Sequence, residues 1–496
     1  MTDGTVAAPT RMRGYAVAFG LIALTAALAA LHLFALGGQP AFRLDDAYIV
    51  LNNAAALLET DQAFPDAPPL LGSTSLAHTF LVAGLSFLMP PETALLFLGW
   101  AGLLLFSLGV ARFAGHEGAP DWLQLLFGLV ALLCGDLFRV HLNGLETSLV
   151  LAAIIWTVIG TTERWPPVPF GAFLGVLPFL RPELAVLGAL CFGLWAIGQQ
   201  AWHGRVVGCA VAAGVSLTLL GAQIYLSGSA LPATGAAKTI FFSGAPGMAQ
   251  AWFDALVQQS AGFFLVVSGV LSLAILVPRP ARPISVLATL FALLVVVILL
   301  LDFPSFMGQN HYRYLYIFFP VALINAAVWV GASARARLLV TLLLVGALAQ
   351  SVWTLGRDWT SRAEEVVGKY QELSAKAAWV HARTAPEAVV MVHDIGYMSY
   401  ATDRSLFDVV GLRSSRAVAV NASVSDLPWL ERRGQAFDRF ARETGACYFI
   451  VTEGWNRWLG LTRAFEAQGW RLIAHPGGHP PGHEAYLIDR PGCGFR

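Results

Sequence analysis

Apolar stretches of membrane-spanning length recur along most of this chain, and they constrain its fold more than any motif does. A spanning helix needs ~20 predominantly apolar residues, because every backbone N–H and C=O must find its partner inside the segment. Stretches centred near residues 25, 102, 130, 154, 174, 192, 216, 269, 293, 323 and 346 meet that length or approach it. They predict a mainly α, polytopic membrane protein with about eleven transmembrane helices. The charged fraction of 12% against 56% hydrophobic residues excludes an ordinary cytosolic enzyme.

A twelfth run, from Leu76 to Met89, is shorter and carries His78, so it reads either as a span or as a helix lying in the interface. Parity separates the two. If the run does not cross, Arg11, Arg13, Arg112, Arg164, Arg205, Arg279, Arg282, Arg335 and Arg337 share one side, and Arg43, Arg139, Arg181, Lys238 and Arg313 lie on the other. The positive-inside rule favours that arrangement. It places the N-terminus in the cytoplasm and the C-terminal tail outside, as expected for a multi-pass protein of a bacterial inner membrane with a periplasmic tail.

Charge marks where that tail begins. From Arg357 to Arg496 there are 17 basic and 16 acidic residues in 140 positions, whereas the first 356 residues hold only 29 charges. Two domains are therefore expected: a transmembrane module over 1–356 and an extracytoplasmic α/β domain over 357–496. A helical stretch from about Arg362 to Arg383 precedes strand-like runs at Ala388–Val392, Leu406–Val410 and Cys447–Thr452. With 31 basic and 31 acidic residues overall, nothing suggests a nucleic-acid surface. Cys134, Cys191 and Cys209 lie in apolar runs and read as packing. Cys447 and Cys493 lie in the tail, where the sequence is compatible with a disulfide or with free thiols.

The cations assigned to the outer side sit among other polar residues at the ends of apolar runs, where an ionisable group is costly and marks a functional cavity. The first outer loop opens with Arg43-Leu44-Asp45-Asp46-Ala47-Tyr48-Ile49, two carboxylates at a predicted helix start. An acid there stabilises its own helix. At a hydrocarbon edge it is also a candidate general base, because lost hydration raises its pKa. His141-Leu142-Asn143-Gly144-Leu145-Glu146-Thr147 and Arg181-Pro182-Glu183 interrupt later apolar runs. Pro232 to Lys238 holds the only Lys of the first 368 residues, a point charge suited to phosphate. Asn310-His311-Tyr312-Arg313-Tyr314 enters another span.

These segments, with Ser73-Thr74-Ser75-Leu76, follow the order found in integral-membrane GT-C glycosyltransferases, and the pattern most resembles the terminal beta-arabinofuranosyltransferase branch. His393-Asp394-Ile395-Gly396-Tyr397 and Phe407 to Leu412 in the tail also look like that branch, so the resemblance covers about residues 15 to 420. Two departures stand out. Pro232-Ala233-Thr234 replaces the usual Pro-Asn-Thr, and the Ser73 to Leu76 segment lacks the usual Pro.

The resemblance implies a polyprenyl-phosphate sugar donor whose lipid lies in the bilayer, a glycan or surface-protein acceptor, and inverting transfer of a sugar such as arabinofuranose. It implies Asp45 as general base, Asp46 as the less favoured base or else a group that orients Asp45 or caps the helix, and Lys238 and Arg313 receiving the departing phosphate. His311, Glu146, Arg181, Tyr48 and Asn143 are further substrate-binding candidates. No cofactor is required by this chemistry; Glu146 and Asp45 could share a divalent ion, but no ligand spacing calls for metal. A monomer is expected. The competing class is a transporter or flippase of a lipid-linked precursor, whose signature would be internal repeats with charges near span centres. The sequence has neither.

Overall fold

The computed structural model describes residues 8–58, 63–64, 67–133, 138–199, 201–245, 283–302 and 313–494. They form two compact units. One comprises 1–40, 95–219 and 249–364, and the other 41–94, 220–248 and 365–496. Of the eleven expected spans, the one near residue 269 lies outside the described residues, as does Cys134; the other ten centres fall on helices.

The first unit is built of apolar helices. Among the described residues, four helices of the chain are long and apolar enough to cross a membrane: Tyr15–Ala35, Pro91–His116, Trp202–Ser227 and Ala334–Arg383. Shorter apolar helices run over Asp121–Leu133, Thr147–Thr162, Pro167–Leu180, Leu184–Gly198, Pro283–Ile298 and Leu315–Val330. Tyr15, Phe19, Phe34, Ile197, Trp202 and Leu217 stand exposed, a surface that is costly in water and natural in lipid. The protein is a multi-pass membrane protein. Helix contacts follow membrane rules, with small residues at the closest approaches. Gly171 and Gly175 pack on the backbone of Gly208 and Ala212, and a Cβ on Gly175 would lie 2.7 Å from the Ala212 carbonyl oxygen.

The second unit carries a five-stranded sheet from the tail: β1 (Val390–Val392), β2 (Leu406–Asp408), β3 (Tyr448–Thr452), β4 (Leu472–Ala474) and β5 (His483–Ile488). Their order is β2-β1-β3-β5-β4. β1 pairs in parallel with β2 and β3, while β5 runs antiparallel to β3 and β4. Phe437, Phe440, Phe449 and Phe465 bury one face of it. Cys447 and Cys493 form a disulfide, with Cα atoms 5.3 Å apart.

Segments remote in sequence complete this unit. The Leu406 amide donates to the Ala63 carbonyl at 3.2 Å, and the Leu70 amide to the Leu226 carbonyl at 3.0 Å. Arg413 is fully buried, and its Nη1 reaches Asn53 Oδ1 and the carbonyls of Pro68, Pro69 and Leu71 within 2.8–3.1 Å. Gly72, at φ +101°, lets the loop close on this arginine; a Cβ there would meet the Leu412 carbonyl at 2.6 Å. The helix Leu76–Leu85, capped by the Ser75 hydroxyl, has ten residues. At ~1.5 Å per residue it covers about half of a bilayer core. Phe87 and Leu88 follow it and stand exposed.

Candidate active site

The acid pair opens the helix Asp45–Leu57, whose N-cap is Leu44, so neither carboxylate is the N-cap of its own helix. Asp45 instead caps a helix of the tail. Its Oδ2 accepts the Gly396 amide at 2.6 Å and its Oδ1 the Tyr397 amide at 2.9 Å, at the start of the helix Gly396–Ala401. Gly396 is required here for space, since a Cβ would stand 2.6 Å from Asp45 Oδ2 and closer still to the Asp45 carbonyl.

Electrostatics at Asp45 oppose one another. Burial raises its pKa most, Lys376 pulls it down, Asp394 raises it, and the two amides lower it; the balance lies above the ordinary carboxylate value. Lys376 is buried, with Nζ 3.4 Å from the Asp394 carbonyl. At Asp394 burial also works upward, but the His393 ring, Lys376 and the Thr452 hydroxyl outweigh it and hold this carboxyl well below the usual range. Thr452 Oγ1 donates to Asp394 Oδ2, and His393 Nδ1 lies 3.6 Å from Oδ1.

Asp46 is placed differently. Its Oδ2 lies 3.3 Å from Lys238 Nζ, across 192 residues of sequence, and the two side chains are 28% and 24% exposed. Lys238 is on the helix Ala233–Phe242. That helix is seated by aromatic rings: Phe241 lies 5.6 Å from His393 and 6.2 Å from Trp429, Phe242 lies 5.3 Å from Trp455, and the Arg433 guanidinium covers Phe241 at 4.5 Å. Its start is tied to the first loop by Thr74 Oγ1 and Thr234 Oγ1 at 2.9 Å. Four of the quoted motifs, Asp45–Ile49, Ser73–Leu76, Pro232–Lys238 and His393–Tyr397, thus meet in one unit.

Tyr48 is also in this unit but wholly buried, with its hydroxyl accepting the Phe42 amide at 3.2 Å and its ring 4.7 Å from Tyr397. It holds the wall behind Asp45. In the first unit Arg181, Glu146 and Glu183 come together: Arg181 Nη2 is 2.7 Å from Glu183 Oε1, and Nη1 is 3.9 Å from Glu146 Oε1. Asn143 Oδ1 accepts the Leu145 amide at 2.9 Å, an Asx turn that shapes the entry to the Glu146 helix. His311 and the side chain of Arg313 lie outside the described residues. Among the described residues no cluster of three or more His, Cys, Asp or Glu is arranged to hold a metal.

The residues that motif reading assigned least well are Lys376, Asp394 and Gly396. Lys376 sits in an ordinary charged helix, and its partners become visible only in three dimensions.

A protein-family profile described as a domain of unknown function (DUF8728) matches residues 362–488. No curated protein matches the chain. Among solved structures, the chain is similar to ArnT from Cupriavidus metallidurans bound to undecaprenyl phosphate, with a TM-score of 0.52, 12% identity, and 96% of this chain and 99% of that one covered. It is also matched to the archaeal oligosaccharyltransferase AglB from Archaeoglobus fulgidus in complex with an inhibitory peptide and a dolichol-phosphate, with a TM-score of 0.45, 11% identity, and 92% and 73% coverage. The likeness to ArnT extends over nearly the whole of both chains and shows that the two share a fold.

Proposed function

We propose that the protein is a GT-C glycosyltransferase that moves a sugar from a polyprenyl-phosphate donor to an envelope glycan or surface acceptor on the outer side of a bacterial inner membrane. The observation that carries this reading is the part-exposed ion pair of Lys238 with Asp46, which brings a cation to the start of the helix that Asp45 opens. The fold shared with ArnT, whose structure is described as bound to undecaprenyl phosphate, supports this donor class. A pentofuranose such as arabinofuranose is the sugar that the motif order favours. Eleven spans with a cytoplasmic N-terminus are the topology that suits it, and the Cys447–Cys493 disulfide supports a tail in an oxidising compartment.

In this mechanism Asp45, held by two amides, takes the proton of the acceptor hydroxyl as that oxygen forms its bond to the anomeric carbon. The bond from that carbon to the donor phosphate oxygen breaks on the opposite face, and the configuration inverts. Polyprenyl phosphate leaves with the electron pair. Lys238, positioned by Asp46, meets the negative charge that develops there, where fixed charge in a shielded site is most effective. The test is release of polyprenyl phosphate from a panel of polyprenyl-phosphate pentoses and hexoses by the purified protein. Turnover with one of them, abolished in Asp45→Asn, is the expected result; full turnover in that variant would remove Asp45 from the base role.

A further inference from the structure

A second feature of the tail-containing unit lies apart from the acid pair. A cavity of about 510 Å³ opens between the later turns of the Asp45–Leu57 helix, Ser86 and Pro91, and the segment Ser399–Asp403. Its size falls in the ~300–1,000 Å³ range of small-molecule sites. Its chemistry is unlike that of a lipid or phosphate pocket. Tyr400 supplies an aromatic ring, fixed by its hydroxyl donating to Glu92 Oε1 at 2.7 Å. The Asn52 amide and the Ser86 and Ser399 hydroxyls donate to the carbonyls of Ser399, Val82 and Gly396, so the two serines offer a ligand acceptor oxygens, while Thr402, whose hydroxyl accepts the Arg404 amide, keeps its own hydrogen to donate.

Among the described lining residues there is no Lys, Arg or His, and the only ionisable group besides the Tyr400 phenol, Asp403, is already matched by Arg404 Nη1 at 2.6 Å and His381 Nδ1 at 3.3 Å. Such a lining offers no cation to an anion. An aromatic ring beside hydroxyl oxygens suits a neutral polyol, since its C–H faces pack on aromatics while its own hydroxyls donate to such oxygens.

Position adds a second argument. Asn52 follows Asp45 by seven residues on one helix, about 10 Å along its axis. The helix Gly396–Ala401 likewise has its first amides on Asp45 and its last residues in the cavity wall. The same two helices therefore link the acid pair to the cavity over a distance comparable with a short oligosaccharide.

We propose that this cavity binds a neutral, polyhydroxylated acceptor, holding the sugar units that lie behind the hydroxyl presented to Asp45. This deepens the glycosyltransferase reading and rests on it for the identity of the acceptor's reacting end. The neutral glycan can belong to a polysaccharide or to a glycolipid headgroup, and the assay includes both.

The experiment is saturation-transfer NMR on the full-length protein in detergent or nanodiscs. Its probes are neutral pentose and hexose tetrasaccharides, the same tetrasaccharides on a short lipid, a hexuronate tetrasaccharide and a peptide. A neutral tetrasaccharide is expected to bind, with affinity lowered at least tenfold in Ala401→Trp, which fills the cavity from an exposed position, and in Ala55→Phe on the facing wall. A lipid-linked probe binding alone assigns the glycolipid source. No neutral probe binding, unaltered binding in both folded variants, or preference for the uronate or the peptide would overturn the proposal. Because binding is read without turnover, failure here leaves donor cleavage by Asp45 standing, and failure of donor cleavage leaves the cavity's ligand measurable.

Discussion

Gly396 and Asp45 approach so closely that no side chain fits between them: the glycine amide donates to the carboxylate at 2.6 Å, and a methyl group at Gly396 would stand 2.6 Å from that same oxygen. A residue of the tail thereby sets the orientation of the carboxylate in the first loop.

Gly396→Ala is therefore expected to displace Asp45 and lower transferase turnover at least tenfold, at a stability cost of about 1–3 kcal/mol from overpacking. Donor turnover and thermal unfolding of the purified variant measure the two effects. Undiminished turnover would show that the seat of Asp45 is irrelevant to reaction.

Lys238→Met removes the cation without removing the stem. The pair with Asp46 is partly exposed, so folding stability should change by less than about 1 kcal/mol. The rate should fall about 100- to 1,000-fold if the ammonium meets the departing phosphate. Loss of stability with an unchanged rate would make the pair a structural one.

Acid pH should switch the reaction off above the ordinary aspartate range of ~3.9, because burial and Asp394 raise Asp45 and only its ionised form accepts a proton. The sign for folding is the reverse. A raised carboxyl contributes stability fully below the ordinary value and loses it as pH rises through the raised one. Asp394→Asn should move the acid limb of kcat/KM to lower pH, and Lys376→Met should move it to higher pH. Limbs that coincide with wild type would disconnect these groups from the base.

Cys447 and Cys493 should resist a thiol-reactive polymer in whole cells until a reductant is added. The bridge closes a separation of 46 residues, so reducing it should cost the tail about 2–4 kcal/mol. A cysteine at exposed Glu387 should label with an impermeant reagent in spheroplasts. Labelling only after lysis would reverse the proposed topology.

Different parts of this architecture were legible in the sequence to different degrees, for physical reasons. Asp45, Asp46, Lys238, Glu146 and Arg181 stood out because charge is rare and costly at the ends of apolar runs. Lys376 did not, since a lysine in a charged helix is unremarkable until burial and Asp394 surround it. Tyr48 read as a residue facing a site, but its hydroxyl is taken by the Phe42 amide and its ring by Tyr397. Strands β1, β2 and β3 show as apolar runs. β4 and β5 did not, because Leu472–Ala474 stands between Arg471 and His475 rather than in a longer apolar run and His483–Ile488 interleaves polar side chains, so β5 depends on its pairing with β3 and β4 on its pairing with β5.

Arg413 holds the carbonyls of Pro68, Pro69 and Leu71 through one nitrogen, and two of those residues are prolines that have no amide hydrogen to brace the turn themselves. The ribosome delivers this turn some 340 residues before the guanidinium that fastens it. The early loop must therefore wait, unfinished, until the segment that carries Arg413 has been made and folded, and a chain cut short after its final apolar helix would lack a finished first loop.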